Sequence, residues 1–265
     1  MSAISIPRLK AVAVLRVLSH GRTRPCLMLA RDAAGSETEV VVKWRAAMDL
    51  GASGLICELM GALLADDLDL PVPKPCLVDV EQGFHTVIGT LEVSSLARKS
   101  EGLNFGSQKL PPGFSAWARE KPIPLLLRPM AAEIFAFDVL IQNVDRRQTN
   151  PNVLTNGEEV YLCDHEQAFS FLSGVLRWQP PWTGHGTDFF RNHVFFQQLK
   201  GTAHNWERLR GALGALTDAR LNEYLAAVPN EWRSDNTAAE RIAEYLQQAR
   251  QEQRALFAVI TRLLK

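Results

Sequence analysis

The sequence shows no excess of charge of either sign. Its 265 residues include 29 lysines and arginines and 29 aspartates and glutamates, so the formal charges cancel at neutral pH. Proteins that bind nucleic acid or anionic membranes over a broad surface usually carry a clear basic excess. The balance argues against a general binder of either kind, and we expect no direct contact with nucleic acid or with a membrane.

Cysteine is scarce, and long apolar runs are missing. The four cysteines, Cys26, Cys57, Cys76 and Cys163, form neither a C-x-x-C pair nor a set with zinc-ligand spacing. No stretch approaches the roughly 18 consecutive apolar residues of a membrane span, and the N-terminus has no apolar core of signal-peptide length. These absences predict reduced thiols and a cytoplasmic protein.

The first part of the chain consists mostly of segments whose residue pattern predicts strands. Short valine-rich or alternating segments bounded by glycine, proline and polar turn residues predict strands. These segments are 10–18, 26–32, 38–45, 76–80 and 84–93. Between them, residues 54–65 have helical spacing, and Glu58 falls on the apolar stripe that should face inward. A loop-rich stretch follows from about residue 98 to 128.

The second part of the chain changes to helical spacing. Ile134, Phe137 and Ile141 lie at i, i+3 and i+7, and a hairpin pattern with "TNGEE" at its turn follows. Near the end an apolar stripe runs from Ala239 to Leu263, preceded by a capping box of Thr237 and Glu240. We therefore expect an α+β fold of two lobes. The first, residues 1–95, is a small antiparallel sheet with one helix, and the second, residues 96–265, is larger and mainly helical.

Five polar residues stand in an order that suits phosphoryl transfer. They are Lys43, Glu58, Asp145, Asn150 and Asp164. A strand lysine can neutralise phosphate oxygens while a helix glutamate holds its ammonium group. An aspartate at a helix end can approach an acceptor hydroxyl, and an amide oxygen and a second carboxylate are hard ligands that suit Mg²⁺.

The segments around these residues resemble the HipA-like kinase family, especially its compact branch of short, stand-alone kinases. The specific matches are "FDVLIQNVDRRQTNPNVL" and "VYLCDHEQAF", supported by "VVVKW", "CELMGALLADDLDLPVP", "FGS" and "VPNEW". The resemblance spans about residues 10 to 250 and implies a protein-kinase-like fold, related to that of phosphatidylinositol kinases, with ATP in a cleft between the lobes.

Carried over by position, the resemblance assigns roles to single residues. Lys43 would contact the nucleotide phosphates with Glu58 as its partner, Asp145 would be the catalytic aspartate, and Asn150 and Asp164 would bind Mg²⁺. Arg146 would fix the catalytic loop. In the loop "SHGRTRPC", Gly21 would help to cradle phosphate, although the family loop is richer in glycine. The acceptor would be serine or threonine of a protein, and an antitoxin-like regulator would be a partner.

Two other functions remain open at the level of sequence. Small-molecule kinases of the aminoglycoside or choline type share the aspartate, the asparagine and the later metal-binding aspartate, but they usually have histidine where this chain has Asn143. A pseudokinase that binds nucleotide and signals by conformation is the second alternative. His185, Asp188 and His193 could suggest a metal site, but the flanking phenylalanines favour packing.

Overall fold

The computed structural model of the chain describes residues 3–18, 23–174, 178–234 and 236–265. Within these ranges, helices and strands are both abundant, as the α+β prediction requires. None of the helices in the described ranges combines the length and the apolar character needed to cross a membrane.

Five strands of the N-terminal part close into a barrel. They are β1 (Arg8–Val17), β2 (Cys26–Arg31), β3 (Glu37–Lys43), β4 (Pro75–Val80) and β5 (Gly102–Gln108). Their order is β1-β2-β3-β5-β4, and β4 closes the barrel by pairing in parallel with the start of β1. The other pairs are antiparallel, so the predicted antiparallel sheet is correct for these pairs but wrong for the closure.

Alternation along β3 fixes which side chains point into the barrel. Val40, Val42 and the following Trp44 are buried in the barrel core, and Lys43 therefore points outward from the barrel. This alternation places the side chain of Lys43 on the outer face of the barrel.

Two helices, rather than the expected one, lie between barrel strands. They are α1 (Ala52–Asp67) and α2 (Leu91–Lys99). The strand predicted at 84–93 is wrong, because Phe84–Val87 is a 3-10 turn that follows Gly83 in a left-handed conformation, and α2 packs Val93 and Ala97 onto the barrel. The stretch expected to be loop-rich contains β5, so the strand pairing extends the sheet to Gln108. The division of the chain at residue 95 stays a prediction.

Helix α1 has no solvent-facing side over most of its length. Every residue from Gly54 to Ala65 is buried, including Glu58. The helix contacts the barrel strands on one side and C-terminal helices on the other. The inward position of Glu58 agrees with the sequence pattern. That pattern predicts one apolar stripe, whereas the structure buries residues on every side of α1.

The C-terminal part contains a long buried helix, a small sheet and a group of further helices. The long helix is α3 (Arg128–Ile141), which is buried from Ala131 onward and ends where Gln142 adopts a left-handed conformation. The small sheet joins β6 (Ser115–Ala116), β7 (Val153–Thr155) and β8 (Val160–Leu162). The further helices are α4 (Phe196–Leu199), α5 (Glu207–Ala215), α6 (Asp218–Ala227), α7 (Asn230–Arg233), α8 (Ala238–Gln251) and α9 (Gln253–Leu263).

The apolar stripe at the end of the chain belongs to two helices. Helices α8 and α9 meet at Glu252, and the stripe residues, apart from Gln253 and the partly buried Leu263, are buried in the core of the same chain. The predicted capping box is wrong, because the Thr237 side chain makes no cap and Glu240 pairs with Arg233. The Asn236 side chain instead accepts a hydrogen bond from the N–H of Ala238 at 2.9 Å.

Helix α7 joins the helical part to the barrel. Leu103, at the start of β5, donates its N–H to Glu231 at 2.6 Å, and its carbonyl accepts from the Trp232 indole at 3.0 Å. Gly102 has a positive φ of 97°, and a side chain there would approach the Glu231 carboxylate. Both backbone groups of one barrel residue are thus bound by the segment "VPNEW".

Candidate active site

The site is built around Lys43, which stands between two carboxylates. Its ammonium group binds Glu58 on α1 and lies 2.8 Å from Asp164 Oδ1. Lys43 and Glu58 are buried, whereas the Asp164 side chain keeps 28% of its surface exposed. Strand, helix and loop therefore converge on one ammonium group.

Burial and charge shift the pKa values of these three groups in different directions. Burial lowers the pKa of Lys43, but the charges of Asp164 and Glu58 outweigh it and hold the pKa above its ordinary value. Burial raises the pKa of Asp164, but Lys43 outweighs that effect and the pKa falls below its ordinary value. Burial raises the pKa of Glu58 to about 7 against the opposing effect of Lys43. One ammonium thus stabilises Asp164 as an anion more effectively than it stabilises Glu58.

Asp145 lies in the loop after α3, with each carboxylate oxygen engaged. Oδ1 accepts from the Arg147 guanidinium at 2.6 Å, and Oδ2 accepts from Asn150 Nδ2 at 2.7 Å. Because an ionised carboxylate cannot donate, the amide nitrogen of Asn150 must face Asp145, and its amide oxygen is directed elsewhere. This orientation leaves the Asn150 oxygen available as a hard ligand.

A carboxamide connects the two halves of the site. The Asn143 side chain accepts from the N–H of Asp145 at 3.3 Å and donates to the carbonyl of Asp164 at 3.4 Å. The predicted residues consequently form one connected set, which runs from Glu58 through Lys43, Asp164, Asn143 and Asp145 to Asn150. Gly21, the remaining predicted site residue, lies outside the described residues.

Arg146 holds the segments on either side of β7 and β8 together through buried hydrogen bonds. Its side chain is fully buried and binds Asp138 at 2.6 Å, the carbonyl of Asn152, and the carbonyl of Cys163 at 3.0 Å. One guanidinium therefore joins the segment after Asn150 to the residue before Asp164. This geometry agrees with a loop-fixing role.

The segment that carries Asp164 rests on two glycines of α1. Gly54 and Gly61 are seven residues apart, on the face of α1 that also presents Glu58. A Cβ at Gly61 would lie 2.8 Å from His165 Cβ, and one at Gly54 would lie 3.1 Å from Glu166 Cγ. Glu58 Oε1 also accepts the N–H of Glu166 at 2.9 Å. We call this face the glycine notch, defined by Gly54, Glu58 and Gly61.

The donor set suits Mg²⁺ bound together with phosphate. Within the described ranges no cluster of three or more histidine, cysteine, aspartate or glutamate side chains could hold a metal by itself. Mg²⁺ is commonly held by one or two protein oxygens plus substrate phosphates. Asn150 and the partly exposed Asp164 are the residues that could supply such oxygens, and Lys43 keeps the pKa of Asp164 below its ordinary value, so this ligand is anionic.

Sequence reasoning missed several residues that hold the site. The sequence shows Asn143 only as the residue in place of a histidine, and the phenylalanines beside His193 indicate packing. His193 is buried, as expected, but it also binds Asp138 at 2.9 Å. The position of Asp138 on the buried stripe side of α3 was the signal available in the sequence, because a buried carboxylate requires partners.

Comparison with known proteins adds a family match over most of the chain. Residues 11–256 match the family model described as HipA-like kinase, a range that contains all five residues of the phosphoryl-transfer pattern. A search of curated proteins gives no match. Among solved structures, the crystal structure of the Helicobacter pylori proinflammatory kinase CtkA is similar with a TM-score of 0.49 and 12% sequence identity, over 98% of each chain.

Proposed function

Since the chain belongs to the HipA-like kinase family, we propose that it transfers the γ-phosphoryl group of ATP, with Mg²⁺, to serine or threonine of a protein. The nucleotide would lie in a cleft between a barrel lobe and a helical lobe, in the manner of protein kinases. The family resemblance extends this proposal to an antitoxin-like protein regulator.

The observation that carries the proposal is the connected set of polar side chains. Lys43, Asp164 and Asp145 come from a barrel strand and two separate loops, yet direct bonds and one carboxamide link them. Catalysis of phosphoryl transfer depends mainly on positioning and on neutralising charge. A set fixed on buried elements supports both requirements.

Each residue has a role in the proposed reaction. Lys43 binds phosphate oxygens, and Asn150 and Asp164 hold Mg²⁺, which when bound neutralises charge on the phosphates. Asp145 positions the acceptor hydroxyl and accepts its proton. The acceptor oxygen forms a bond to the γ-phosphorus, the bond from that phosphorus to the bridging oxygen breaks, and ADP leaves.

The test is Asp145→Asn, measured beside wild type and Asp188→Asn. The substitution preserves size but removes the proton acceptor, and loss of a general base commonly costs about 10²- to 10⁴-fold in rate. Incorporation of label from ATP into proteins of a cell extract should fall by that factor, while nucleotide affinity by calorimetry stays within about twofold. Asp188 is an exposed aspartate paired with Arg191, so its replacement controls for the loss of one charge.

Other outcomes favour the other functions. Label that enters a small metabolite would indicate a small-molecule kinase. Nucleotide binding by wild type and both variants, with no transfer by any of them, would indicate a pseudokinase. Equal transfer by wild type and Asp145→Asn would refute the catalytic role of Asp145.

A further inference from the structure

One edge of strand β1 has no neighbouring strand over most of its length. Strand β1 pairs with β2 along residues 10–17, but on its other edge it pairs with β4 only at residues 8–10. Among the described residues, no other strand and no main-chain hydrogen bond reaches this second edge at residues 11–17. Because strand residues direct their N–H and C=O groups to the two edges in alternation, about half of these groups face an open edge.

The open edge forms one wall of a groove of about 310 Å³. Residues 12–17 of β1 line one side of the groove, and residues 87–90 line the other. Leu15 and Val87 in this lining are 47% and 74% exposed, and Leu91, the next residue along the chain, is 89% exposed. Exposed apolar side chains beside an unpaired edge favour the binding of a further strand. The groove therefore offers both main-chain hydrogen bonds and apolar contacts.

Positive charge accompanies the apolar residues. Arg16 lines the groove and is exposed, and it has no ion-pair or hydrogen-bond partner within the part of the chain that the structure describes. Thr90, which precedes α2, also lines the groove, and its side chain does not cap the helix. The N-terminal end of a helix carries a partial positive charge. A carboxylate is thus the charged group that suits this groove.

Two features favour a free peptide over the edge of a second folded copy. The register of β1 against β2 shifts between Ala11 and Ala13 and again between Val14 and Arg16, as at β-bulges. Bulges increase the local twist and disfavour pairing with the edge of another sheet. The groove also has a wall on each side, and a strand that already belongs to a sheet has a neighbour that would collide with the second wall. A free extended segment has no such neighbour.

We propose that the groove between β1 and residues 87–90 binds an extended segment of a partner protein, which adds a strand to the open edge of β1. The segment pairs about six of its residues with residues 12–17, over about 20 Å. Main-chain hydrogen bonds supply affinity, alternate apolar side chains contact Leu15 and Val87, and an aspartate or glutamate pairs with Arg16. The inference goes beyond the proposed function, because it needs neither nucleotide nor phosphoryl transfer.

The experiment begins with selection of peptides on the full chain. A library of random peptides about twice as long as the pairing segment is displayed and selected, and one enriched peptide is synthesised. Enriched peptides should share apolar residues at alternate positions and an acidic residue. The synthetic peptide should slow amide hydrogen exchange at residues 12–17, because N–H groups that face water in the free protein become hydrogen-bonded.

Variants in matched pairs locate the binding surface. Arg16→Glu should weaken binding of the synthetic peptide about tenfold or more, as loss of a charge-assisted hydrogen bond predicts. Arg254→Glu, at an exposed arginine of α9, should keep the wild-type affinity. Leu91→Glu should weaken binding, whereas Leu126→Glu should not, and these two leucines are 89% and 93% exposed. Fluorescence anisotropy of the labelled peptide measures all four affinities.

Three results would overturn the inference and leave the proposed function in place. The first is a selection that enriches no peptide above an empty support. The second is a peptide that binds Arg16→Glu as tightly as wild type and slows exchange elsewhere in the chain. The third is a dimer in sedimentation that protects residues 12–17 without peptide, which would assign the edge to a second copy. A chain that binds no nucleotide would refute the proposed function and leave peptide binding at this groove unaffected.

Discussion

Asp138 carries a buried negative charge that two partners share. Arg146 Nε and His193 Nε2 both lie within hydrogen-bond distance of its Oδ2, at 2.6 Å and 2.9 Å. The N–H of Phe195 approaches His193 Nδ1 at 3.2 Å, so Nδ1 accepts and Nε2 carries the proton in the neutral ring. Burial raises the pKa of Asp138, but Arg146 and His193 outweigh it and keep the pKa below its ordinary value.

Burial makes His193 a determinant of pH-dependent stability. Burial lowers the pKa of His193 from its ordinary value of 6.5, although Asp138 opposes the shift. Below that pH the unfolded chain binds a proton that the folded protein does not, so the free energy of unfolding falls as the pH falls. We expect His193→Gln to remove up to about 1.4 kcal/mol per pH unit of that slope as the pH falls below about 6.5.

Chemical denaturation at several pH values measures this slope. Exposed His185 provides the control, and His185→Gln should follow the pH dependence of wild type. If His193→Gln lost stability equally at every pH, the histidine would contribute packing and hydrogen bonds but no titration. At the residue scale, the structure therefore assigns part of the pH dependence to His193, and buried His165, whose pKa burial lowers to about 3, contributes to the same slope.

At the scale of elements, α1 is the platform on which the metal-binding segment rests. A helix that carries a glutamate partner for lysine must be held at the correct rotation, and α1 is held by burial from Gly54 to Ala65. The glycine notch lets the Asp164 segment approach closely enough for Glu58 to bind both Lys43 and the N–H of Glu166. Glycine is thus required at positions 54 and 61 because the Asp164 segment leaves no space for a Cβ, and not because the backbone adopts a conformation that favours glycine.

Gly61→Ala tests the glycine notch. Its new Cβ would lie 2.8 Å from His165 Cβ, so the Asp164 segment must move. Overpacking costs about 1 to 3 kcal/mol and the better helix propensity of alanine returns about 1 kcal/mol, so the change in the free energy of unfolding should be small. We expect Mg²⁺-dependent nucleotide affinity to fall about tenfold, as a displaced metal ligand predicts.

Gly211→Ala is the matched control for that substitution. Gly211 lies in α5, where an added Cβ would meet nothing within 4 Å. It should increase the free energy of unfolding by about 0.5 to 1 kcal/mol and leave nucleotide affinity unchanged. An unaltered affinity in Gly61→Ala, measured by calorimetry with and without Mg²⁺, would show that the notch does not position Asp164.

At the scale of the whole molecule, two connections hold the barrel against the helices. Helix α1 packs between them, and α7 binds both backbone groups of Leu103. The buried side chains of the described ranges form one core inside the barrel and a second that extends from α1 through the helical part. Because α1 belongs to the second core, which also includes Leu77, Leu103 and Phe105 of the barrel strands, the glutamate partner of Lys43 is packed against both parts.

Glu231→Ala tests the connection through α7. It leaves the N–H of Leu103 without its acceptor, and an unpaired, partly buried donor costs about 1 to 3 kcal/mol. Amide hydrogen exchange should accelerate along β5 and its neighbours, while α8 exchanges as in wild type. Glu244→Ala, at an exposed position on α8, is the control. Equal acceleration in both parts would mean that the barrel and the helices unfold as one unit.

Local patterns in the sequence were sufficient for much of the fold and for the list of polar site residues. Period-2 segments located β1 to β4, and helical spacing located α1 and α3, because neighbouring residues along an element decide which face is apolar. The pattern failed for residues 84–93, where Thr86, Val87 and Ile88 lie between two glycines but form no strand, and for β5, whose glycine and polar residues conceal a strand. In both segments, packing on the barrel decides the structure over local preference.

The tertiary structure alone decided how the site is connected. The sequence by itself determined that Lys43, Asp145, Asn150 and Asp164 are available, and a family resemblance gave their proposed roles. Only packing brings His193 to Asp138, 55 residues earlier in the chain, and closes the barrel through the parallel pairing of β1 with β4. Contacts of this kind leave no periodic trace, since they depend on where whole elements come to rest and not on the spacing of residues within them.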